Sequence, residues 1–460
     1  MSARPTAAGS ADPSTPAEAD SAMRSPLPTE APFTGRPMPD SLWAATAPAA
    51  PPTPPLAEDV KCDVLVIGGG YTGLSAALHL AEGGANVCLL EAQQPGWGAS
   101  GRNGGQVNPT LKHDPDELVR LLGPAQGEAL NHAVSRSADL VFDLIARHGI
   151  DCQPVRSGWL QAGYTDEAVA GMHARARQWT ARGEPVQMLD RAETARRLGT
   201  DAFAGGWLDG RAGALQPLAY ARGLVRAAQA AGARVHGDTQ VLQLQRQGRR
   251  WCARTSAGPS VQAGQVLVAT NGYTGGLWPG LKQTLLTANS FIVATPPLEG
   301  DMAARILPGG ETASTSQRLL LYFRRDAQGR LLMGGRGHFA DPSGPADFAH
   351  LERSLQLLYP ELGDVGFDYR WAGRIAVTRD FMPHVHEPAP GLCMALGYNG
   401  RGVAMGTSLG RHVAARLADR AAPFPFPVSP IVPIPLHGLQ RFYIAAGVAW
   451  YSLLDRLSQR

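Results

Sequence analysis

Residues Asp63 to Gly73, DVLVIGGGYTG, constrain the fold more than any other part of this chain. The apolar run Val64 to Ile67 passes directly into Gly68, Gly70 and Gly73 at G-x-G-x-x-G spacing. A helix-forming run, Leu74 to Glu82, comes next, and then a second apolar strand, Val87 to Leu90, ending on Glu91. Gly68 permits a tight turn, Gly70 lets backbone approach a pyrophosphate, and Gly73 lets helix pack close to strand. Tyr71 and Thr72 open the helix, whose free N–H groups and positive dipole end suit phosphate. Glu91 is placed to accept hydrogen bonds from a ribose diol, which favours FAD or NAD over NADP. A lone glycine turn among 54 glycines would be weak, because an ordinary βαβ turn needs no ligand. The complete strand–turn–helix–strand–Glu order argues for a dinucleotide site, and the local motif leaves FAD and NAD unseparated.

The 460 residues suffice for two interleaved domains. Arg plus Lys number 42 against 39 acidic residues, so no nucleic-acid footprint is indicated. Five scattered cysteines without a CxxC or Cys/His cluster argue against a disulfide scaffold, a zinc site or a dithiol reductase, and favour a cytoplasmic setting. No signal-like apolar segment opens the chain, and no apolar run approaches the ~20 residues that span a bilayer. Residues 1–58, rich in Pro, Ala, Ser and Thr, are expected to form a mostly disordered arm, with Ser41-Leu42-Trp43 its one apolar docking patch.

The pattern predicts an α/β chain. Segments 59–150, 210–286 and 366–420 are assigned to a Rossmann-type dinucleotide domain. Segments 151–209 and 287–365 are assigned to an antiparallel-sheet α+β substrate domain. The loop Pro95 to Gln106 is too glycine-rich for a regular element and suits close backbone packing on a ligand, with a mobile surface loop as the alternative. Helices are expected at 115–122, 124–148, 166–182, 217–231 and 347–358. Strands are expected at 159–163, 233–236, 240–246, 251–255, 265–269, 290–295, 318–323, 331–335, 374–378 and 392–396. In 421–460, Leu439, Phe442, Tyr443, Ala446, Trp450, Leu453, Leu454 and Leu457 keep helical spacing. That amphipathic helix packs on core or partner, or else lies on a membrane surface.

A second glycine turn, Gly397-Tyr-Asn-Gly-Arg-Gly402, opens a helix running to about Arg420. Its N–H groups would stabilise negative charge gathered at the helix start. With this turn the chain resembles the D-amino-acid-oxidase-type (DAO) family of FAD-dependent oxidoreductases, and within it the bacterial γ-glutamylputrescine oxidase group. The resemblance is carried by 63–92, GWGASGRNGGQV (96–107), LVATNGYT (267–274), LLMGGRGHF (331–339), YRWAGRIAVTRDFMPHVHE (369–387), GYNGRGVAMGTSLGR (397–411) and PIPLH (433–437). It implies a glutathione-reductase-like FAD domain with the pyrophosphate near Gly68 to Gly73 and the ribose near Glu91. It further implies cofactor contacts from Ser100, Arg102, Asn103, Gly104, Gly105 and Gln106, from Val241, Asn271, Gly272 and Gly373, and from Gly397, Asn399, Gly400, Arg401 and Gly402. In sarcosine-oxidase-like relatives a flavin-tethering cysteine aligns with Gly373, and in dimethylglycine-dehydrogenase-like relatives a tethering histidine aligns with Arg102. Neither nucleophile stands here, so the resemblance implies non-covalent FAD.

The family reaction removes a hydride equivalent from carbon next to an amine nitrogen, with imine hydrolysis and O2 as the acceptor giving H2O2. The resemblance points to γ-glutamylputrescine or a similar amine. The alternatives are D-amino acids, glycine or sarcosine, or a dehydrogenase passing electrons to a quinone or carrier. Arg374 is a candidate flavin or substrate contact, with a surface ion pair as the alternative, and Lys282 and Lys112 are candidate fixed charges near the ring, with solvated surface as the default. His384, with His386, is a candidate for lining the ring or tuning amine protonation, with a structural role the commoner alternative for a lone histidine; as a zinc pair they lack companion ligands. Tyr398, with Trp159, Tyr322 and Trp371, is a candidate aromatic lining, and core packing is the alternative for each.

Overall fold

The computed structural model describes residues 33–317, 319–445 and 447. The glycine turn sits at the centre of an eight-stranded sheet. Val60–Ile67 pairs in parallel with Val87–Leu90 on one side and Ser260–Val268 on the other. Arg234–His236 and Leu392–Leu396 extend the parallel set outward. His384–Ala389 pairs antiparallel at one edge, and the ribbon of Val241–Gln247 and Arg250–Thr255 branches from Ser260–Val268. The first strand is apolar on both faces because both are covered, as a parallel sheet requires. Val64 and Val66 pack under the helices Tyr71–Glu82, Pro217–Ala230 and Gly402–Ala418, while Leu65 and Ile67 meet Leu244 and Trp251 from the ribbon.

A second eight-stranded sheet runs in the order Tyr369–Thr378, Leu285–Pro297, Arg330–Arg336, Tyr322–Arg325, Thr312–Thr315, Trp159–Gly163, Gly205–Asp209, Val186–Leu189. Its strands alternate. Phe291 and Val293 pack in the core beneath the helix Ala349–Leu358, whereas Ser290 and Ile292 turn toward the first sheet and roof the space between the two.

Several expectations need correction. The strand Tyr369–Thr378, assigned to the dinucleotide segments, pairs along its whole length with Leu285–Pro297 and so belongs to the second sheet. The helical stretch 124–148 is two helices, Pro124–Ser135 and Ser137–Arg147, which meet at Arg136; the Ser137 hydroxyl donates to the Val134 carbonyl at 2.6 Å. Strands Val186–Leu189, Gly205–Asp209 and Thr312–Thr315 were not anticipated.

The arm is ordered from Phe33 onward. Trp43 is 1% exposed and its indole N–H donates to the Asn103 carbonyl at 2.8 Å. Prolines that follow offer carbonyls without N–H groups, and the folded body supplies the donors: Gln229 to Pro52 O at 2.8 Å and Arg222 to Pro48 O at 2.5 Å. Residues 1–32 lie outside the described residues, as does the chain from 448 on, and with it most of the proposed C-terminal helix. Its described start, helical at 440–445, exposes Leu439 and Phe442. No helix among the described residues is long and apolar enough to cross a membrane.

Candidate active site

A cavity of about 1630 Å³ lies between the two sheets and brings both glycine turns together. At its first end Gly68 holds φ +111°, and a Cβ there would lie 2.7 Å from the Ala269 carbonyl oxygen. A Cβ on Gly73 would lie 1.9 Å from the Gly68 carbonyl oxygen, so helix and turn touch through backbone alone. The Tyr71 N–H donates to Ser100 Oγ at 3.0 Å, and the remaining first-turn N–H groups, those of Thr72 and Gly73, have no acceptor within the helix. Glu91 lines the same end. Its carboxylate accepts from the Gly69 N–H at 2.6 Å and the Gln93 N–H at 3.0 Å. Burial pushes its carboxyl up, against the downward pull of those donors. Val241 closes this end from the ribbon.

The loop after Glu91 is folded by its own amide. Asn103 Nδ2 donates to the Ala99 and Ser100 carbonyls, and its Oδ1 accepts the Gly105 N–H at 2.8 Å. Arg102 is turned inward: its Nε donates to the Trp97 carbonyl at 2.7 Å and its guanidinium lies 4.0 Å over the Trp97 ring. Ser100, Arg102, Asn103, Gly104 and Gln106 line the cavity, whereas Gly105 faces Leu215 and Arg324 and does not. Gly373 rests on Arg102, and a Cβ there would meet Arg102 Cβ at 2.9 Å. The two positions of the implied tethers are therefore neighbours.

The second turn is bound to the first. The Tyr398 hydroxyl shares a 2.5 Å hydrogen bond with Thr72 Oγ1, joining residues far apart in sequence. Asn271, at φ +40°, accepts the Gly397 N–H at 2.9 Å. Asn399, at φ +52°, accepts the Thr378 N–H at 2.9 Å and donates to the Gly397 carbonyl at 2.8 Å. Gly272, Asn399, Gly400, Arg401 and Gly402 line the cavity; Gly397 and Gly73 stand behind the lining.

The catalytic candidates separate. Arg374 and Lys282 line the cavity. Arg374 reaches Asp341 at 3.4 Å and stands 5.7 Å over the Tyr273 ring. Tyr398 also lines it, but its hydroxyl is committed to Thr72 and burial pushes its pKa well up, so it braces the turns. His384 does not reach the cavity: its Nε2 pairs with Asp380 at 2.9 Å on an edge strand, with its ring against His386. Trp159 and Trp371 likewise stand behind the lining, while Tyr322 is in it. The Tyr322 hydroxyl bonds Ser290 Oγ at 2.8 Å.

Sequence reading missed Asn108, Tyr273 and Arg336, all of which line the cavity. Tyr273 follows Asn271-Gly272 directly, and Arg336 continues the alternation of its strand, so both carried a readable signal. The lining contains six Arg and Lys side chains, Arg102, Lys112, Lys282, Arg336, Arg374 and Arg401, against one carboxylate, Glu91. No group of three or more His, Cys, Asp or Glu side chains that could hold a metal ion occurs among the described residues.

This arrangement fits FAD. Small residues bring backbone to the end where phosphates would lie, Glu91 stands where a ribose would lie, and a second helix N-terminus meets the first across one continuous cavity. The comparisons agree. The family described as "DAO: FAD dependent oxidoreductase" matches residues 63–416. The chain is 33% identical over 422 residues to a probable oxidoreductase OrdL of Rhizobium meliloti (strain 1021), covering 90% of this chain and 97% of that one. It is 33% identical over 429 residues to a gamma-glutamylputrescine oxidoreductase of Escherichia coli (strain K12), covering 91% and 98%. The crystal structure of glycine oxidase from Geobacillus kaustophilus superposes with a TM-score of 0.69 at 22% identity, covering 82% of this chain and 99% of that one, a likeness of fold. The chain is thus a member of the DAO family of FAD-dependent oxidoreductases.

Proposed function

We propose that this enzyme oxidises an amine at the carbon next to nitrogen, and that the imine product hydrolyses to a carbonyl compound and ammonia or a shorter amine. Bound FAD supplies the two-electron acceptor, and O2 takes up the electrons as H2O2. The observation that carries the reading is the charge of the cavity: six Arg and Lys side chains and one carboxylate, Glu91, already satisfied by backbone N–H groups. Surrounding positive charge lowers the pKa of an entering amine and favours its neutral form. The neutral amine has the lone pair that drives loss of hydride from its carbon, so this step requires no strong base.

The cofactor would be held without a covalent bond by Gly68, Gly70, Tyr71, Thr72 and Glu91, by Ser100, Arg102, Asn103, Gly104 and Gln106, and by Val241, Asn271, Gly272, Gly373 and the backbone of Asn399 to Gly402, with Gly73, Gly105 and Gly397 shaping the turns behind them. In this reading the first turn of the helix at Tyr71, with the Thr72 N–H foremost, would face phosphate, and the helix beginning at Gly402 would face the charge that gathers when the cofactor is reduced. Arg374 and Lys282 serve as fixed positive charges at the cavity wall, and Tyr398 braces one glycine turn against the other. γ-Glutamylputrescine or a related amine is the substrate class, which the gamma-glutamylputrescine oxidoreductase likeness supports. A cytoplasmic location is supported by five cysteines, none in a disulfide.

The test is peroxide release across γ-glutamylputrescine, putrescine, sarcosine, glycine and D-alanine. Peroxide formed in step with oxidation of the ω-amines is expected. Activity confined to α-amino acids would overturn the substrate class, and flavin bleaching without peroxide would make the enzyme a dehydrogenase. Acid precipitation should release all yellow colour; colour retained in the pellet would overturn non-covalent binding.

A further inference from the structure

Lys112 and Arg401 both line the cavity, and their surroundings are linked by contacts: Arg175 holds Asp114, two residues from Lys112, and donates to Gln161 at 3.3 Å, two residues along the strand from Trp159, over which Arg401 lies. The two cavity cations arrive from separate elements. Arg401 sits in the second glycine turn with its guanidinium 4.9 Å over the Trp159 ring of the second sheet. Lys112 lies beyond the glycine-rich loop, just before the helix Pro115–Leu122. Neither forms an ion pair among the described residues, and the Arg401 Nε is buried without a hydrogen-bond partner.

The nearby carboxylates are already taken. Asp114 is held by Arg175, and Asp209 accepts both Nε and Nη2 of Arg211, at 2.8 and 2.6 Å. A third cation, Arg175, adds its charge from behind. Lys112 is accessible through the empty space before it, yet protein on its other sides desolvates it, and with Arg401 and Arg175 lowers its pKa to about 8. Burial and Arg175 likewise pull Arg401 down, to about 10. Asn108, 3% exposed, lines the same cavity with its Oδ1 unpaired and adds one acceptor for an N–H group. Arg401, whose Nε is buried without a partner, carries the cost of an unpaired charge, and an anion entering the cavity beside it and the exposed Lys112 relieves that cost.

We propose that Lys112 and Arg401 form a carboxylate-binding subsite, which selects an amine carrying a carboxylate remote from the carbon that is oxidised. The subsite rests on the amine-oxidation reading for its substrate, and on geometry alone for its anion. Pyrophosphate is a poor occupant, because the phosphate cradle is the first glycine turn. The subsite instead reads the far end of the substrate, so that a simple diamine lacks the anchor.

The test uses the FAD-loaded full chain. Glutarate, a dicarboxylate with no amine to oxidise, is titrated against the visible flavin spectrum in wild type, Lys112→Met and Lys112→Arg. The glutarate Kd should rise about tenfold in Lys112→Met and recover in Lys112→Arg. In steady state, the ratio of KM for γ-glutamylputrescine to KM for putrescine should rise about tenfold in Lys112→Met. An unchanged glutarate Kd, or equal KM changes for both amines, would overturn the subsite. A tenfold rise in the FAD Kd of Lys112→Met would overturn it too, by assigning the cation to the cofactor. Glutarate binding lost as expected in a protein that oxidises none of the amines would leave the subsite standing and defeat the amine-oxidation reading instead.

Discussion

The two ends of the cavity treat polar groups in opposite ways. Around the first glycine turn the polar side chains are already matched: Glu91 to Gly69 and Gln93, Ser100 to Tyr71, and Asn103 to its own loop. Positions are set there by backbone contact and by side chains spent on structure. At the other end Lys112 and Arg401 have no ion-pair partner among the described residues, and Asn108 leaves an acceptor empty. The first arrangement costs little and holds one cofactor in one pose. The second stores unpaired charge, which a ligand of the right sign relieves. On the proposed reading, one fold separates a finished cofactor end from a substrate end completed by what binds.

The contrast breaks most severely at Gly73. A Cβ placed 1.9 Å from the Gly68 carbonyl oxygen forces helix and turn apart. Gly73→Val should therefore lose FAD by about 100-fold or more in affinity, on the order of 3 kcal/mol. The purified variant should be nearly colourless; stoichiometric FAD absorbance would show that backbone contact does not build this end. A smaller change is expected at Glu91. Glu91→Gln replaces one acceptor oxygen by a donor, so the Gly69 N–H or the ribose loses its partner. The FAD Kd should rise about tenfold by fluorescence titration, close to 1.4 kcal/mol. No change would remove Glu91 from the cofactor.

How much of this was legible in the sequence follows the same division. The first end could be read because its sterics are local: Gly68, Gly70, Gly73 and Glu91 specify turn, helix and strand within one βαβ unit. The second turn was legible for the same reason. Pairings between distant segments were not. Tyr369–Thr378 carries no mark of joining Leu285–Pro297, and its place in the chain suggested the other domain. Val186–Leu189 and Gly205–Asp209 are short, and the second opens on two glycines, which carry no strand preference; pairing with Trp159–Gly163 and Val186–Leu189 makes it a strand. Arm residues 33–58 looked too poor in apolar side chains to order, yet Trp43 and a row of proline carbonyls are satisfied by donors from elsewhere in the chain. Of the two roles open to His384, the structure favours the structural one, and the sequence alone does not reveal that its strand lies at the sheet edge.

At the substrate end the expected pH effect is moderate. The positive charges of Arg401 and Arg175 act on Lys112, and the adjacent His113 is engaged with Glu117 and the Asp380 carbonyl. Lys112 loses its proton as pH rises through about 8, so affinity for a carboxylate should fall severalfold between pH 7 and pH 9. Glutarate titration at both pH values measures this, and Lys112→Arg should flatten the profile because guanidinium stays charged. A wild-type affinity that does not change over this range would mean that Lys112 carries no share of the anion.

The smallest effect belongs to His384, which serves neither end. Burial raises the Asp380 carboxyl, but hydrogen bonding and charge from His384, together with the Met382 N–H, outweigh it and hold the pKa to about 2. Because the folded-state pKa lies below the ordinary 3.8, this contribution is fully present above about pH 4 and fades as pH falls toward 2. The pair is solvent-exposed on the Asp380 side, so its share of stability near neutrality is small. His384→Gln should leave kcat and KM for any accepted amine within about twofold, lower Tm by about 1 °C or less, and flatten the loss of stability between pH 4 and 2, because Asp380 then titrates nearer its ordinary value. Steady-state assays and acid titration of the far-ultraviolet signal check each part. A tenfold loss of kcat at unchanged Tm would return His384 to the chemistry and remove the division between edge strand and cavity.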